Sequence, residues 1–227
     1  MSGSVIITID REFGSGGHEV GRRLAEKLGI KLYDEELISR AAAATGYHVE
    51  YIRANEERAP EYSISSLFTG FESFQPSPYN KIQDEEFQLI RDIASEGSCV
   101  IMGRAADYIL RDTDHVSIFI FAPLEDRVKR NLAISEQRFP DEHYDEYSME
   151  KYVRQIDKQR RRYYEFYTDN KWGGRDAYDL LINTSREDCD VVQKRINYHF
   201  LAGSRRMDLQ YYVNSVIYAA DDMQLLV

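Results

Sequence analysis

Apolar residues arrive along this chain in two alternating rhythms. The run "SVIITID" (residues 4–10) is short and β-branched and ends in an acid and a glycine turn, which reads as a buried strand. Residues 17–28, "GHEVGRRLAEKL", then place Val20, Leu24 and Leu28 at helical spacing and stop at Gly29. "IKLYD" (30–34) predicts a second strand, "EELISRAAAATG" (35–46) a second helix, and residues 47–58 suit a third. The period fails over "APEYSISSLFTGFESFQPSPYN" (59–80), a stretch rich in Ser, Pro and aromatics. Long irregular segments in compact domains are commonly lids or binding segments. An amphipathic helix with an acidic start follows in "DEEFQLIRDIASEG" (84–97).

"SCVIMG" (98–103) and "HVSIFIFA" (115–122) are nearly continuous apolar runs, the pattern of strands covered on both faces. Pro123 opens a helix to about residue 137, "SMEKYVRQIDKQRRRYYEFYTDN" (148–170) is a long helix, "YDLLINTS" (178–185) a fifth strand, and 186–200 a closing helix. In residues 201–227, Leu209, Tyr212, Val213, Val216 and Ile217 fall at helical spacing, as in a packing helix or a homodimer contact. Strands alternating with helices predict an α/β fold with a parallel five-stranded sheet and helices on both faces. Ligands in such sheets bind at the carboxyl ends of the strands. Here those ends carry Asp10 with a glycine loop, Asp34, Gly103–Arg104 and Ala122–Pro123.

Composition narrows the ligand. The chain has 227 residues, 43% of them hydrophobic, and a formal net charge of -10. A chain this acidic is a poor partner for nucleic acid or an anionic membrane, so an anionic ligand must be small and held by a local cluster of Arg. The two cysteines, Cys99 and Cys189, have no metal-ligand spacing and suit a reducing compartment. No basic segment followed by a long apolar one opens the sequence, and no apolar run is long enough to cross a bilayer. The expectation is a soluble cytoplasmic protein.

Residues 10–21 read "DREFGSGGHEVG". A Rossmann loop wants G-x-G-x-x-G/A. Gly14 and Gly16 fit it, Glu19 takes the third position, and Asp34 ends the second strand where a ribose-binding acid belongs. A P-loop wants G-x-x-x-x-G-K-[ST]. With Arg11 in the first position, Gly16 is the sixth, Gly17 takes the lysine position and His18 the hydroxyl position. The strand, the glycine turn and the helix survive, and backbone N–H groups around Gly14–His18 suit an anion. A tight strand–helix turn without a ligand is the third reading, and the loop alone leaves all three open.

Three stretches together carry a resemblance: "REFGSGGHEVGRRLAEKLGIKLYDEELI" (11–38), "VIMGRAADYIL" (100–110) and "DKQRRRYYEFYT" (157–168). With them the chain resembles the cytidylate kinase-like family, in the nucleoside monophosphate kinase group of P-loop enzymes, over roughly residues 4–200. The resemblance implies a three-layer P-loop NTPase-type fold. Against bacterial cytidylate kinase, the ID ending the first strand matches Ile9–Asp10, and the phosphate-loop lysine falls on Gly17. "MAEAL" falls on residues 24–28, the strand-ending Asp on Asp34, and an arginine that grips the acceptor monophosphate on Arg40. "GRD" falls on Gly103–Arg104–Ala105, which keeps the Arg and loses the Asp. Arg127 falls near the start of the lid region, and the lid segment "RDxxDxxR" matches 154–162 loosely.

Phosphoryl transfer needs positioning and positive charge around the moving group. With the lysine missing, Arg11, Arg104, Arg127, Arg130 and Arg160 are the candidate cations. Arg160 falls on the apolar stripe of its helix with Met149, Val153, Ile156, Tyr163 and Tyr167, a costly place unless its charge is used or paired, for instance with Asp157. Asp34 suits a proton acceptor, a ligand to Mg²⁺ water or a strand-end cap. Glu12 and Glu19 would repel a triphosphate unless they bind Mg²⁺ or pair with Arg11 or Arg22. Tyr163, Tyr164, Tyr167 and Trp172 suit either a base stack or core.

The expected protein is then a kinase-like domain over 1–200, with an acceptor-binding insertion at about 40–95, a lid region at about 127–170 and a helical tail over 201–227. The resemblance implies phosphoryl transfer from ATP, with Mg²⁺, to a nucleoside monophosphate, with CMP or dCMP first, or to another small acceptor. Gly14, Ser15, Gly16, Gly17 and His18 would hold the donor phosphates and Arg40 and Arg104 the acceptor. Arg11, Asp34, Arg127, Arg130 and Arg160 would surround the transferring group. The alternatives are a nucleotide-binding regulatory module without turnover and a Rossmann-type dinucleotide enzyme.

Overall fold

The computed structural model describes residues 4–34 and 78–185, all within the first of two compact units, Met1–Glu187. In chain order they form β1 (Ile6–Arg11), α1 (Gly17–Leu28), β2 (Lys31–Tyr33), α2 (Pro78–Glu96), β3 (Cys99–Met102), α3 (Ala106–Ile109), β4 (Val116–Phe121), α4 (Leu124–Ala133), α5 (Ser135–Arg138), α6 (Glu146–Tyr167) and β5 (Leu180–Asn183). The strands make one parallel sheet in the order β2-β3-β1-β4-β5. β1 is central and every one of its residues is buried, which accounts for the unbroken apolar run. Among the described residues no helix is long and apolar enough to cross a membrane.

Strand alternation sorts the side chains of β1 onto two faces. Ile9 and Arg11 face α1. A methyl group at Gly21 would stand 3.4 Å from Ile9 Cδ1 and 2.7 Å from Met102 Sδ, and one at Gly17 would stand 2.6 Å from Arg11 Cβ. Val20, Leu24 and Ala25 complete the buried stripe of α1. On the other face Ile6, Cys99 and Ile101 pack with Ile90, Ile93 and Ala94 of α2 and with Ala106 and Ile109 of α3. Helices therefore cover both faces, as expected.

The predicted 17–28 helix is α1 to the residue. Elsewhere the boundaries moved for physical reasons. α2 starts at Pro78, where a missing N–H costs nothing, six residues before the expected acidic start. The helix expected over 123–137 breaks at Ile134 into α4 and α5. There Asn131 Nδ2 donates to Arg127 O at 2.8 Å and Ser135 Oγ to Leu132 O at 2.9 Å, side-chain bonds that compete with the helical ladder. α6 begins at Glu146 behind an Asp145–Ser148 capping box. α3 was not foreseen. It is one turn long and follows three consecutive left-handed residues, Gly103, Arg104 and Ala105 (φ 68, 61 and 52°). The helices read at 35–46, 47–58 and 186–200, most of the 59–80 insertion and the 201–227 tail lie outside the described residues.

A buried polar chain ties α6, α2 and the end of β3 together. Tyr163 Oη donates to Gln83 Oε1 at 2.8 Å, Gln83 Nε2 to Glu86 Oε2 at 3.3 Å, and Glu86 Oε1 lies 2.9 Å from Arg104 Nη1. Breaking a buried ion pair from one side strands the remaining charge, at roughly 3–5 kcal/mol, whereas replacing both partners by apolar residues is nearly neutral. Glu86→Ala is accordingly expected to lose about 3 kcal/mol or more in denaturant unfolding, and Glu86→Leu/Arg104→Met to recover most of that loss.

Candidate active site

The glycine loop continues β1 and turns into α1. Glu12 N donates to Ile120 O at 3.0 Å, which extends the sheet, and Ser15 N donates back to Glu12 O at 3.2 Å, which closes a tight turn. Gly14 and Gly16 are left-handed (φ 76 and 82°). Gly14 is required twice over, since a methyl there would fall 2.0 Å from Asn131 Nδ2 and 3.0 Å from Arg127 O. α1 starts behind Gly16 with no side chain capping it. The first-turn amides and the positive end of the helix dipole therefore face the loop, the arrangement that suits an anion. Ser15 is fully buried with no hydrogen-bond partner for its Oγ, while Thr184 Oγ1 donates to its carbonyl at 2.6 Å.

Arg127 of α4 holds the loop in shape. It is buried, and donates from Nε to Ala122 O at 2.9 Å and from Nη1 to Phe13 O at 3.1 Å and Asp157 Oδ2 at 2.5 Å. Glu12 Oε2 lies 3.3 Å from its Nε. Asp157 of α6 also accepts the Phe13 amide at 2.7 Å. These contacts make Arg127 a clamp on the loop backbone. Asp157, one of the partners the sequence offered Arg160, serves the clamp. Burial raises the Glu12 carboxyl above its ordinary range, and the charge of Arg127 opposes that rise.

Two of the expected cations lie over the loop. Arg130 Nη1 donates to Gly14 O at 2.7 Å, and this guanidinium is also what a methyl at Gly16 would meet, at 3.5 Å. Arg160 Nη1 donates to Arg11 O at 3.1 Å, with its Cζ 5.8 Å from the Phe13 ring. Arg138, which sequence reasoning missed, stacks on the same ring at 4.8 Å. Burial and the neighbouring Arg160 lower its pKa. It sits on a single turn after a helix break, where no periodicity marks it. Arg104 stands at the carboxyl end of β3 in its ion pair with Glu86, and Arg40 lies outside the described residues.

The acids are paired, and Glu19 takes Arg22, one of the two partners the sequence offered. Glu19 accepts from Arg22 and Arg23 at 2.5 to 3.0 Å, contacts that hold its carboxyl down at about 2. His18 Nε2 meets Asp34 Oδ2 at 3.2 Å, joining the helix start to the end of β2. Behind the loop, Asp10 accepts from Trp172 Nε1 at 2.8 Å and Tyr178 Oη at 3.2 Å, and Asp107 from Tyr164 Oη at 2.6 Å. Trp172, Tyr163 and Tyr164, candidates for stacking a base, are buried in this core with Phe119.

A parallel sheet whose central strand leads through a glycine loop into a helix, with arginines from later helices lying over that loop, defines a P-loop kinase type of fold. The same fold is found in the shikimate kinase of Acinetobacter baumannii solved with shikimate, at a TM-score of 0.51 and 17% identity over 89% of this chain and 96% of that one. The chain belongs to the Cytidylate kinase-like family, whose model matches residues 6–186. A curated relative, the cytidylate kinase of Saccharolobus islandicus, is 27% identical over 197 residues, 85% of this chain and 88% of its own. An uncharacterized protein from Eubacterium ventriosum, known from its crystal structure, is 29% identical with a TM-score of 0.62 over 86% of this chain and 97% of that one.

Burial raises the Asp107 carboxyl from 3.8 to about 7, with the charge of Asp10 adding to the rise and the Tyr164 hydrogen bond opposing it. The folded chain therefore holds that proton more tightly than the unfolded one. The stability it brings is complete below about pH 4 and is lost as pH rises through about 7. Asp107→Asn keeps an acceptor for Tyr164 and has no proton to lose. Between pH 5 and pH 8 the wild type should lose about 2–3 kcal/mol of unfolding free energy that the variant retains, as read from urea unfolding at each pH.

Proposed function

We propose that this chain transfers the γ-phosphoryl group of ATP to a nucleoside monophosphate, with CMP or dCMP as the first candidates because of the family it belongs to and the relative that bears the cytidylate kinase name. The observation that carries the reading is the uncapped start of α1 behind Gly14 and Gly16, with Arg130 lying against both glycines. A turn of N–H donors beneath a guanidinium suits a polyphosphate, because each donor is fixed before the ligand arrives.

In this reading the amides of Gly14–His18 hold the donor phosphates, and Arg130 and Arg160 lie over the transferring group. Arg127 and Asp157 keep the loop rigid. An oxygen of the acceptor phosphate bonds to the γ-phosphorus as the bond to the β–γ bridging oxygen breaks, giving a nucleoside diphosphate and ADP. Arg40 and Arg104 serve the acceptor, with the insertion at about 40–95 as its binding segment. Mg²⁺ in such sites is bound mostly by phosphate oxygens and water with one or two carboxylates. Asp34, held by His18 beside the loop, fits that role, and the ion would neutralise charge on the phosphates. A binding module without turnover is the second reading, favoured by Gly17 and His18 at the lysine and hydroxyl positions.

ADP formation from ATP and Mg²⁺ across a panel of nucleoside monophosphates tests the first reading. CMP or dCMP should be the best acceptor, and Arg130→Ala and Arg160→Ala should each lower kcat/KM at least about tenfold, a loss of about 1.4 kcal/mol or more in transition-state stabilisation. ATP binding with no ADP formed from any acceptor would move the assignment to the binding module.

A further inference from the structure

We infer that Arg11 replaces the missing phosphate-loop lysine, and that residue 17 is glycine because the stem of Arg11 occupies the space where that lysine would begin. The inference rests on the donor site proposed above and names the residue that carries its central charge.

The two positions exclude each other. A Cβ at Gly17 would lie 2.6 Å from Arg11 Cβ, 3.0 Å from Arg11 Cγ and 3.5 Å from Ile120 Cβ. The first is closer than side-chain carbons approach one another, the second is tight, and the nearest atom belongs to the root of the arginine, which cannot swing aside. A P-loop lysine leaves the first turn of the helix beside the bound phosphates. Here the same surface of α1 is bare, and the first two side-chain carbons of Arg11 lie across it.

The strand supplies the direction. Arg11 is the last residue of β1, at the carboxyl end where ligands bind, and it alternates with Ile9 onto the face that carries α1. Its backbone belongs to the site as well, since its carbonyl accepts from Arg160. The other arginines reach the loop differently. Arg127 reaches it from α4 as the clamp on Phe13, and Arg104 stands at the end of β3. Arg130 and Arg160 come from α4 and α6 and hold loop carbonyls. Among the described residues, Arg11 is the cation whose stem lies against the first residue of α1. An anion at the positive end of α1 is favoured by the helix dipole and by a cation carried on that stem. The guanidinium fork also explains why the exchange need not be neutral in reverse, because a lysine offers a single point of charge.

The test measures binding by the full chain and needs no acceptor. Mg·ATP and adenosine are titrated calorimetrically into wild type, Arg11→Met, Arg11→Gly, Gly17→Lys and the double variant Arg11→Gly/Gly17→Lys. Arg11→Met keeps the packed stem and removes the charge. It should weaken ATP at least tenfold and leave adenosine within twofold. Gly17→Lys should lose ATP binding or fold poorly. The double variant, with the root of residue 11 cleared, should bind ATP at least fivefold more tightly than Arg11→Gly. ATP affinity within twofold of wild type in Arg11→Met overturns the inference, and so does a double variant no better than Arg11→Gly. If the wild type binds ATP with the expected pattern and phosphorylates no acceptor, the kinase assignment fails and the inference stands. If it phosphorylates CMP and Arg11→Met binds ATP as the wild type does, the inference alone fails.

Discussion

The buried guanidinium of Arg127 is the constraint on which the loop depends. A glycine-rich turn has little conformational preference of its own, so something must select one geometry from the many that Gly14 and Gly16 allow. Arg127 does so by joining three backbone segments: Phe13 in the loop, Ala122 at the end of β4 and, through Asp157, the middle of α6. Its charge is tolerable in the interior because Asp157 and Glu12 both lie within ion-pair distance. Asp157 then fixes the Phe13 amide as well, so one carboxylate serves the clamp and the loop together. The neighbouring Asn131 fills the space that any side chain at Gly14 would need.

The last two residues of β1 divide the site between the faces of the sheet. Asp10 turns toward the aromatic core, where Trp172 and Tyr178 hold its carboxylate and Arg11 N donates to its other oxygen at 2.7 Å. Arg11 turns toward α1. A strand that alternates turns an acid and a cation on adjacent residues to opposite faces. The acid side is buried, with Asp107 and Tyr164 beside it. Asp10 and Asp107 find their partners within the core, which leaves the loop side to the arginines.

The sequence made the elements legible where a period had room to repeat. β1, α1 and the two central strands followed from alternating and unbroken apolar runs, and Gly29 marked the end of α1 directly. The one-turn α3 and the break at Ile134 were not legible, because four residues cannot display a period and the break depends on which carbonyls Asn131 and Ser135 find. The candidate cations were visible as residues and not as roles. Arg127 and Arg130 look alike in the sequence, yet one is a buried clamp and the other lies over the loop. The difference is set by Asp157, which is 144 residues from Phe13 along the chain and adjacent to it in space. Arg138 stayed hidden for the same reason, since its place on the Phe13 ring is purely tertiary.

Net charge is a poor guide to the field at this loop. The chain carries -10 overall, and two glutamates flank the glycines, which from the sequence alone argues against holding a polyphosphate. The folded arrangement removes that objection locally. Glu19 is turned along α1 into Arg22 and Arg23, and Glu12 is turned inward onto Arg127. Asp34 is drawn to His18. What remains over the turn is the positive end of α1 with Arg130 and Arg160, at separations where a few charges outweigh a distant acidic surface screened by salt. A loop without its lysine can therefore keep the electrostatic character of a phosphate site. The glutamates that seemed to disqualify it are part of how its arginines are held and sorted.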